Sequence, residues 1–179
     1  MLSYGENIGM AAKVEPNARA QQLTKMFFTM IGTWQGEYTY FDSRVGEYVT
    51  GAGKLIFNST SMKNVMTLDA ETSRPSGPPV HAFSVMVMQA NGASWRQVAF
   101  TETDGRLQDK IVTDFSYQDD RNWSVDMLEV QQALGGVQAV IVKQIVNDGH
   151  LDMRKFRTLE GGEAAARPFE SYANFEKVD

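Results

Sequence analysis

Near the start of the chain, apolar residues recur every three or four positions over residues 17–31. This spacing places them on one face of an α-helix. Pro16 suits the first helical turn, and Gly32 suits the position just past the last turn. We therefore predict a helix over residues 17–31, preceded by a segment, residues 1–16, that forms a flexible tail or a lid.

Beyond this helix the chain divides into short segments rich in Val, Ile, Phe, Tyr and Thr, which favour strands. Turn signals separate them roughly every 8–12 residues, a spacing typical of all-β proteins. Three are dipeptides that tolerate a positive φ: Asn91-Gly92, Asp104-Gly105 and Asp148-Gly149. We therefore predict one all-β domain over residues 17–179, an antiparallel up-and-down β-barrel of about 8–10 strands.

The segment Gly32-Thr33-Trp34 joins the helix to the first predicted strand. In this position it resembles the calycin superfamily, in its lipocalin-like and fatty-acid-binding-protein-like members and in bacterial lipocalin-like domains of unknown function. The resemblance implies a barrel closed at one end by the tryptophan, with a basic residue from a late strand over the indole ring. Arg154 and Arg157 are the two candidates for that residue in this sequence.

Alternation along a strand assigns side chains to the two faces of the sheet. If Trp34 points into the barrel, Tyr38 and Tyr40 do so as well, and the lumen is mainly apolar with a few polar groups, as in ligand pockets. We predict that it binds a small, mainly apolar molecule. The predicted ligand-binding residues are Trp34, Tyr38, Tyr40, Trp95, Phe100, Phe115, Trp123 and Arg154.

Arg154 allows three interpretations. Stacked on Trp34, its guanidinium would contribute a cation–π interaction of ~0.5–2 kcal/mol and hold the barrel end together. Elsewhere in the lumen, it would bind a ligand carboxylate. On the outer face it would be solvated.

The chain has no cysteine and two histidines, His81 and His150, which lie far apart in the sequence. They do not have the spacing typical of metal ligands, so we predict no metal site and no cofactor. His81 and Asp114 are the candidates for catalytic proton transfer, provided that their side chains point into the lumen. If they point outward, both are ordinary surface residues.

A barrel lumen supports more than one class of function. The alternative to simple binding is a cofactor-independent cyclase or isomerase that acts on a polyketide- or terpenoid-like substrate by proximity and hydrogen bonding. A third interpretation is an interaction module whose barrel is filled by side chains. The sequence has no nucleophile elbow or phosphate-binding loop that would favour a particular enzyme class.

Charge and hydropathy restrict the partners and the compartment. The chain carries 17 Lys and Arg against 22 Asp and Glu, a net charge of −5, with both signs interspersed. No basic cluster favours nucleic acid or an anionic membrane. The first residues lack the apolar core of a secretion signal, and no apolar run approaches the ~18 residues of a membrane span. We expect a cytoplasmic protein without a nucleic-acid or membrane partner.

The predicted strand from His81 to Gln89 is apolar on both faces. One face contributes to the lumen, so the other needs a cover. We expect this cover to be the N-terminal helix or a partner subunit, as in a homodimer.

Overall fold

The computed structural model describes residues 16–42, 45–75, 77–89, 94–102, 107–133, 136–157 and 171–179. The predicted tail or lid therefore lies outside the described residues, except for Pro16. The described ranges form one helix and ten strands. In chain order these are α1 (Pro16–Thr29), β1 (Gly32–Asp42), β2 (Glu47–Ser59), β3 (Val65–Thr72), β4 (Val80–Met88), β5 (Trp95–Thr101), β6 (Leu107–Asp119), β7 (Asn122–Ala133), β8 (Gly136–Asn147), β9 (His150–Arg157) and β10 (Ser171–Lys177). Within those ranges, no helix combines the length and the apolar character that crossing a membrane requires.

Each strand pairs antiparallel with its neighbours in the sequence, and β1 also pairs with β10, which closes the sheet into a barrel. At this closing seam Trp34 is the register partner of Lys177, and Tyr40 is the register partner of Ser171. The prediction of an antiparallel up-and-down barrel with an N-terminal helix is confirmed.

The hairpin predicted at Asp148-Gly149 is also confirmed. Asp148 and Gly149 join β8 to β9 with φ values of 47° and 88°, both in the left-handed region. Two consecutive left-handed residues are the requirement of the tight turn that matches the twist of paired strands. The turns predicted at Asn91-Gly92 and Asp104-Gly105 lie outside the described residues.

Two glycines allow close packing beside the closing seam. A Cβ atom on Gly36 would lie 1.9 Å from the carbonyl oxygen of Asn174, and one on Gly53 would lie 2.7 Å from the ring of Phe175. Gly36 is the register partner of Gly53 on β2 and of Phe175 on β10. The buried Phe175 ring therefore occupies the space that a side chain at Gly53 would need, and the backbone of β10 occupies the space that one at Gly36 would need.

Helix α1 covers the end of the barrel at which β1 begins. Its Leu23, Met26 and Phe27 side chains are fully buried, and so is that of Met30, which follows the helix, as the helical spacing predicts. They belong to one apolar cluster with the tryptophans of three strands, namely Trp34, Trp95 and Trp123. This cluster fills the helix end of the lumen.

Hydrogen bonds join the helix to the barrel wall. The Trp34 indole Nε1 donates to the carbonyl oxygen of Met30 at 2.8 Å, and the Trp123 Nε1 donates to the Thr29 hydroxyl at 3.0 Å. The Phe27 ring packs on Trp95 with 5.6 Å between ring centroids. The helix is therefore held by both polar and apolar contacts.

The cation over Trp34 comes from Lys177. Its Nζ lies 5.5 Å from the centroid of the Trp34 ring and donates to the Thr29 carbonyl oxygen at 3.2 Å. The prediction of Arg154 in this position is wrong, because β10 lies between β9 and β1. The Arg154 guanidinium instead lies 5.8 Å from the ring of Tyr172, its register partner. The side chain of Arg157 lies outside the described part of the chain.

The outer face of β4 is not covered by the helix. Phe83 and Val87 on that face are 45% and 37% exposed, because α1 lies across the barrel end. A partner subunit over this face stays a prediction.

Replacement of Phe27 by alanine tests the helix seal. Removing a fully buried aromatic side chain leaves a cavity, so Phe27→Ala is expected to lower the free energy of unfolding by about 3–5 kcal/mol. Chemical denaturation measures this change. Lys25→Ala, at an exposed position of the same helix, is the matched control and should change stability by less than about 0.5 kcal/mol. Equal effects of the two variants would show that the helix does not pack as described.

Candidate functional site

The half of the lumen away from α1 is open and forms a cavity of about 340 Å³. Its wall is mainly apolar and includes Val80, Val142, Met153 and Ala173. These residues come from four different strands, each at an inward position of the alternation. The barrel therefore has a filled half beneath the helix and an open half that can hold a small molecule.

Two tyrosines lie on one side of this cavity. Tyr38 and Tyr40 occupy successive inward positions of β1, and their rings stack with 5.7 Å between centroids and 21° between planes. Both line the cavity, as the alternation from Trp34 predicts. They provide a flat apolar surface with hydroxyl groups at its edge.

Three charged side chains meet inside the barrel, and we call Lys110, Glu129 and Lys155 the lysine–glutamate cluster. The Lys155 Nζ donates to Glu129 Oε1 at 2.9 Å, and the Lys110 Nζ lies 3.6 Å from Glu129 Oε2. The Glu129 side chain is fully buried, whereas those of Lys110 and Lys155 are 16% and 19% exposed. Both lysines line the cavity, so their amines are accessible from it.

Burial lowers the pKa of the Lys110 amine, because the ammonium form is poorly solvated in the lumen. The Glu129 carboxylate opposes this shift, and the neighbouring Lys155 adds to it. The shorter contact with the carboxylate belongs to Lys155. Burial and the second lysine therefore favour loss of the proton from the Lys110 amine.

Uncharged polar groups continue from the cluster around the lumen. Gln97, the register partner of Lys110, donates to the Ser84 hydroxyl at 3.1 Å, and both side chains are buried. On the other side, Ser171 is the register partner of both Lys155 and Tyr40. This polar belt lies between the apolar core under α1 and the open cavity.

The structure brings together only part of the predicted ligand-binding set. Tyr38 and Tyr40 line the cavity, and Arg154 borders it. The guanidinium of Arg154 lies over the ring of Tyr172 on the outer face of the sheet. The Tyr172 hydroxyl also donates a hydrogen bond to the Asp152 carboxylate at 3.1 Å.

Four predicted residues lie at the sealed end instead. Trp34, Trp95 and Trp123 are buried against the helix. Phe115 packs under the guanidinium of Arg19, 4.0 Å from its ring centroid. The structure thus places these four away from the open cavity, because alternation gives the face of a residue but not its height along the barrel axis. Their contact with a ligand stays a prediction.

Phe100 lies on the outer face of the barrel and is 48% exposed. The inward positions of β5 belong to Trp95, Gln97 and Ala99, which are buried. Phe100 therefore has the opposite parity, and its predicted place in the lumen is wrong.

The two candidates for proton transfer also lie outside the lumen. The exposed His81 has its Nδ1 3.7 Å from a carboxylate oxygen of Glu71, and Asp114 pairs with Arg19 at 3.3 Å. Both side chains point outward, whereas a catalytic role in the lumen requires that they point inward. In the described ranges, no group of three or more His, Cys, Asp or Glu side chains is placed to hold a metal ion.

The lysine–glutamate cluster was missed from the sequence, although a signal for it exists. Lys110 stands two residues before the buried Val112, and Glu129 stands two residues after the buried Met127. Each occupies an inward position of its strand. A charged residue that continues an apolar alternation is the pattern that could have indicated a lumen site.

Comparison with known proteins supports the fold alone. No family model matches the chain, and no curated protein matches it. Among solved structures the chain is similar to the crystal structure of Rv2717c from M. tuberculosis, with a TM-score of 0.66 and 11% sequence identity. The likeness covers 88% of this chain and 98% of that chain. A closed antiparallel barrel of this kind is consistent with a calycin-like protein and compatible with ligand binding in its lumen.

Replacement of Glu129 by glutamine tests the electrostatics of the cluster. The variant leaves two buried amines without their carboxylate, so Glu129→Gln is expected to lower the free energy of unfolding by about 3–5 kcal/mol near neutral pH. Loss of the carboxylate removes the interaction that raises the pKa of the Lys110 amine in the folded state, so that pKa falls further. The folded variant therefore binds fewer protons than the folded wild type. As the pH rises toward the amine pKa of the unfolded chain, the difference in the free energy of unfolding between wild type and variant becomes smaller.

Urea denaturation at about pH 6.5 and at about pH 9.5 measures both effects. Glu37→Gln, at an exposed position of β1, is the matched control and should have little effect at either pH. A Glu129→Gln variant as stable as the control would contradict a buried ionic cluster.

Proposed function

We propose that this protein binds a small, mainly apolar molecule in the open half of the barrel lumen, with an oxygen-bearing end of the ligand at the lysine–glutamate cluster. The observation that carries this proposal is the cavity of about 340 Å³, whose exposed wall is mainly apolar and is bordered by four cationic residues, Arg74, Lys110, Arg154 and Lys155. Ligand pockets combine these properties: predominantly apolar walls and a few polar groups that fix orientation.

The size of the cavity favours a small ligand. Its volume is at the lower end of the range of about 300–1,000 Å³ typical of ligand pockets. The stacked rings of Tyr38 and Tyr40 and the side chains of Val142 and Met153 offer contact to a hydrocarbon portion. Burying apolar ligand surface against them is favourable by roughly 25 cal/mol per Å².

The lysines favour a particular orientation of the ligand. Each amine donates hydrogen bonds and accepts none while it is protonated. An oxygen acceptor such as a carboxylate, carbonyl or hydroxyl would therefore be bound at Lys110 and Lys155. The cyclase or isomerase alternative depends on the shape of the same lumen and on hydrogen-bond donors in it. Its two candidates for proton transfer, His81 and Asp114, face outward, whereas binding requires no group for proton transfer.

Calorimetric titration with eight-carbon probes tests the proposal. Octanoate, octan-1-ol and octanamide share one hydrocarbon portion and differ in the polar end. We expect binding of at least one of them with a 1:1 stoichiometry. Thr101→Trp, which fills the mouth of the cavity from an inward position of β5, is expected to weaken this binding by roughly tenfold or more.

The adjacent residue of the same strand provides the control. Phe100→Trp adds the same indole to the outer face and should leave the binding constant unchanged. The proposal fails if none of the three probes binds, or if Thr101→Trp and Phe100→Trp have equal effects.

A further inference from the structure

The amine of Lys110 lies where a molecule held in the cavity would meet it. Its side chain lines the cavity and is 16% exposed. It extends from β6, next to Glu129 on β7, its register partner. A ligand with its polar end at the lysine–glutamate cluster therefore brings that end within reach of a primary amine.

The arrangement around Lys110 favours the neutral, nucleophilic form of the amine. Two features activate a lysine for attack on a carbonyl group: removal from water and a neighbouring cation. Lys110 has both, because it is mostly buried and shares the Glu129 carboxylate with Lys155. Both effects lower its pKa, and the shorter contact with the carboxylate, at 2.9 Å, belongs to Lys155.

We propose that the Lys110 amine forms a reversible imine with an aldehyde held in the lumen. The proposal rests on the proposed function, because the aldehyde must first bind in the cavity. It adds a covalent step and a chemical class of ligand: small, mainly apolar molecules that end in an aldehyde group.

The chemistry is balanced without an oxidant or a cofactor. The nitrogen lone pair forms a C–N bond to the carbonyl carbon, and the carbonyl π electrons pass to oxygen. The two protons of the amine are transferred to that oxygen through Lys155 and Glu129, the C–O bond breaks, and water leaves. One amine and one aldehyde thus give one imine and one water, and Lys155 and Glu129 return to their starting protonation states.

Charged and titratable groups from several elements surround this amine. Besides Lys155, the charged or titratable residues that line the cavity are Arg74, which follows β3, Arg154 of β9, and Tyr38 and Tyr40 of β1. From β5, the register partner of Lys110 is the uncharged Gln97. In the described part of the chain, Glu129 is thus the acidic group at hydrogen-bonding or ion-pair distance from Lys110.

Reductive trapping with octanal tests the proposal. The full-length protein is incubated with octanal and sodium cyanoborohydride near neutral pH, and the modified residue is identified by peptide mass mapping. We expect one octyl group at Lys110, formed roughly tenfold or more faster than at the exposed Lys54 and Lys143. Trapping of Lys155 in place of Lys110, or equal rates at all these lysines, would overturn the proposal.

Three variants distinguish loss of the reactive amine from a general loss of folding. Lys110→Met, which keeps the Glu129–Lys155 ion pair, should lose the fast adduct. Lys143→Met removes an amine from the outer face of β8 and should retain it. Lys155→Met removes the neighbouring cation, which raises the pKa of Lys110, so trapping should slow near pH 7 and recover as the pH rises. Trapping by Lys155→Met that is as fast as wild type at pH 7 would contradict the role assigned to the second lysine.

Binding of octanoate distinguishes failure of the imine from failure of the lumen site. If octanoate binds by calorimetry and octanal gives no fast adduct at Lys110, the imine is wrong and the proposed function stands. If the adduct forms and excess octanoate suppresses it, both are supported. If none of the three eight-carbon probes binds and the adduct does not form, both are wrong.

Discussion

The contact on which the rest of the structure depends is the one between Trp34 and the end of α1. The last carbonyl groups of a helix have no partner within it, and the Trp34 indole donates to one of them, that of Met30, at 2.8 Å. Because Trp34 also stands at the start of β1, this single bond ties the helix to the barrel wall. The buried face of α1 then fills the same end of the lumen.

Helix α1 and the apolar core seal one end of the lumen, so the open cavity lies toward the other end. The apolar core occupies the lumen up to the belt formed by Ser84, Gln97 and the lysine–glutamate cluster, and the cavity lies beyond it. Buried ion pairs seldom add stability compared with apolar side chains of similar size. A buried carboxylate between two lysines therefore supports a role in recognition or reaction more than a role in folding.

Sequence reasoning reached the fold because its signals are local. Helical spacing, turn dipeptides and two-residue alternation each specify a short segment, and the inward parity of Tyr38 and Tyr40 followed from Trp34. The candidate site depends on relations between distant strands, which those signals do not carry. Lys177 lies over Trp34 only because β10 closes on β1, and Lys110 meets Lys155 only across β7 and β8. The register shift between Val112 and Asp114 places Val112 and Phe115 on the same inner side, although simple alternation would place them on opposite faces.

The central claim is that the open half of the lumen is the ligand site and that its polar end is the lysine–glutamate cluster. A crystal structure of the protein with octanoate tests it most directly. The account predicts the hydrocarbon chain beside Tyr38 and Val142, with the carboxylate at hydrogen-bonding distance from Lys110 or Lys155. Octanoate bound instead in the outer groove beside His81 and Phe100, with an empty lumen, would contradict it.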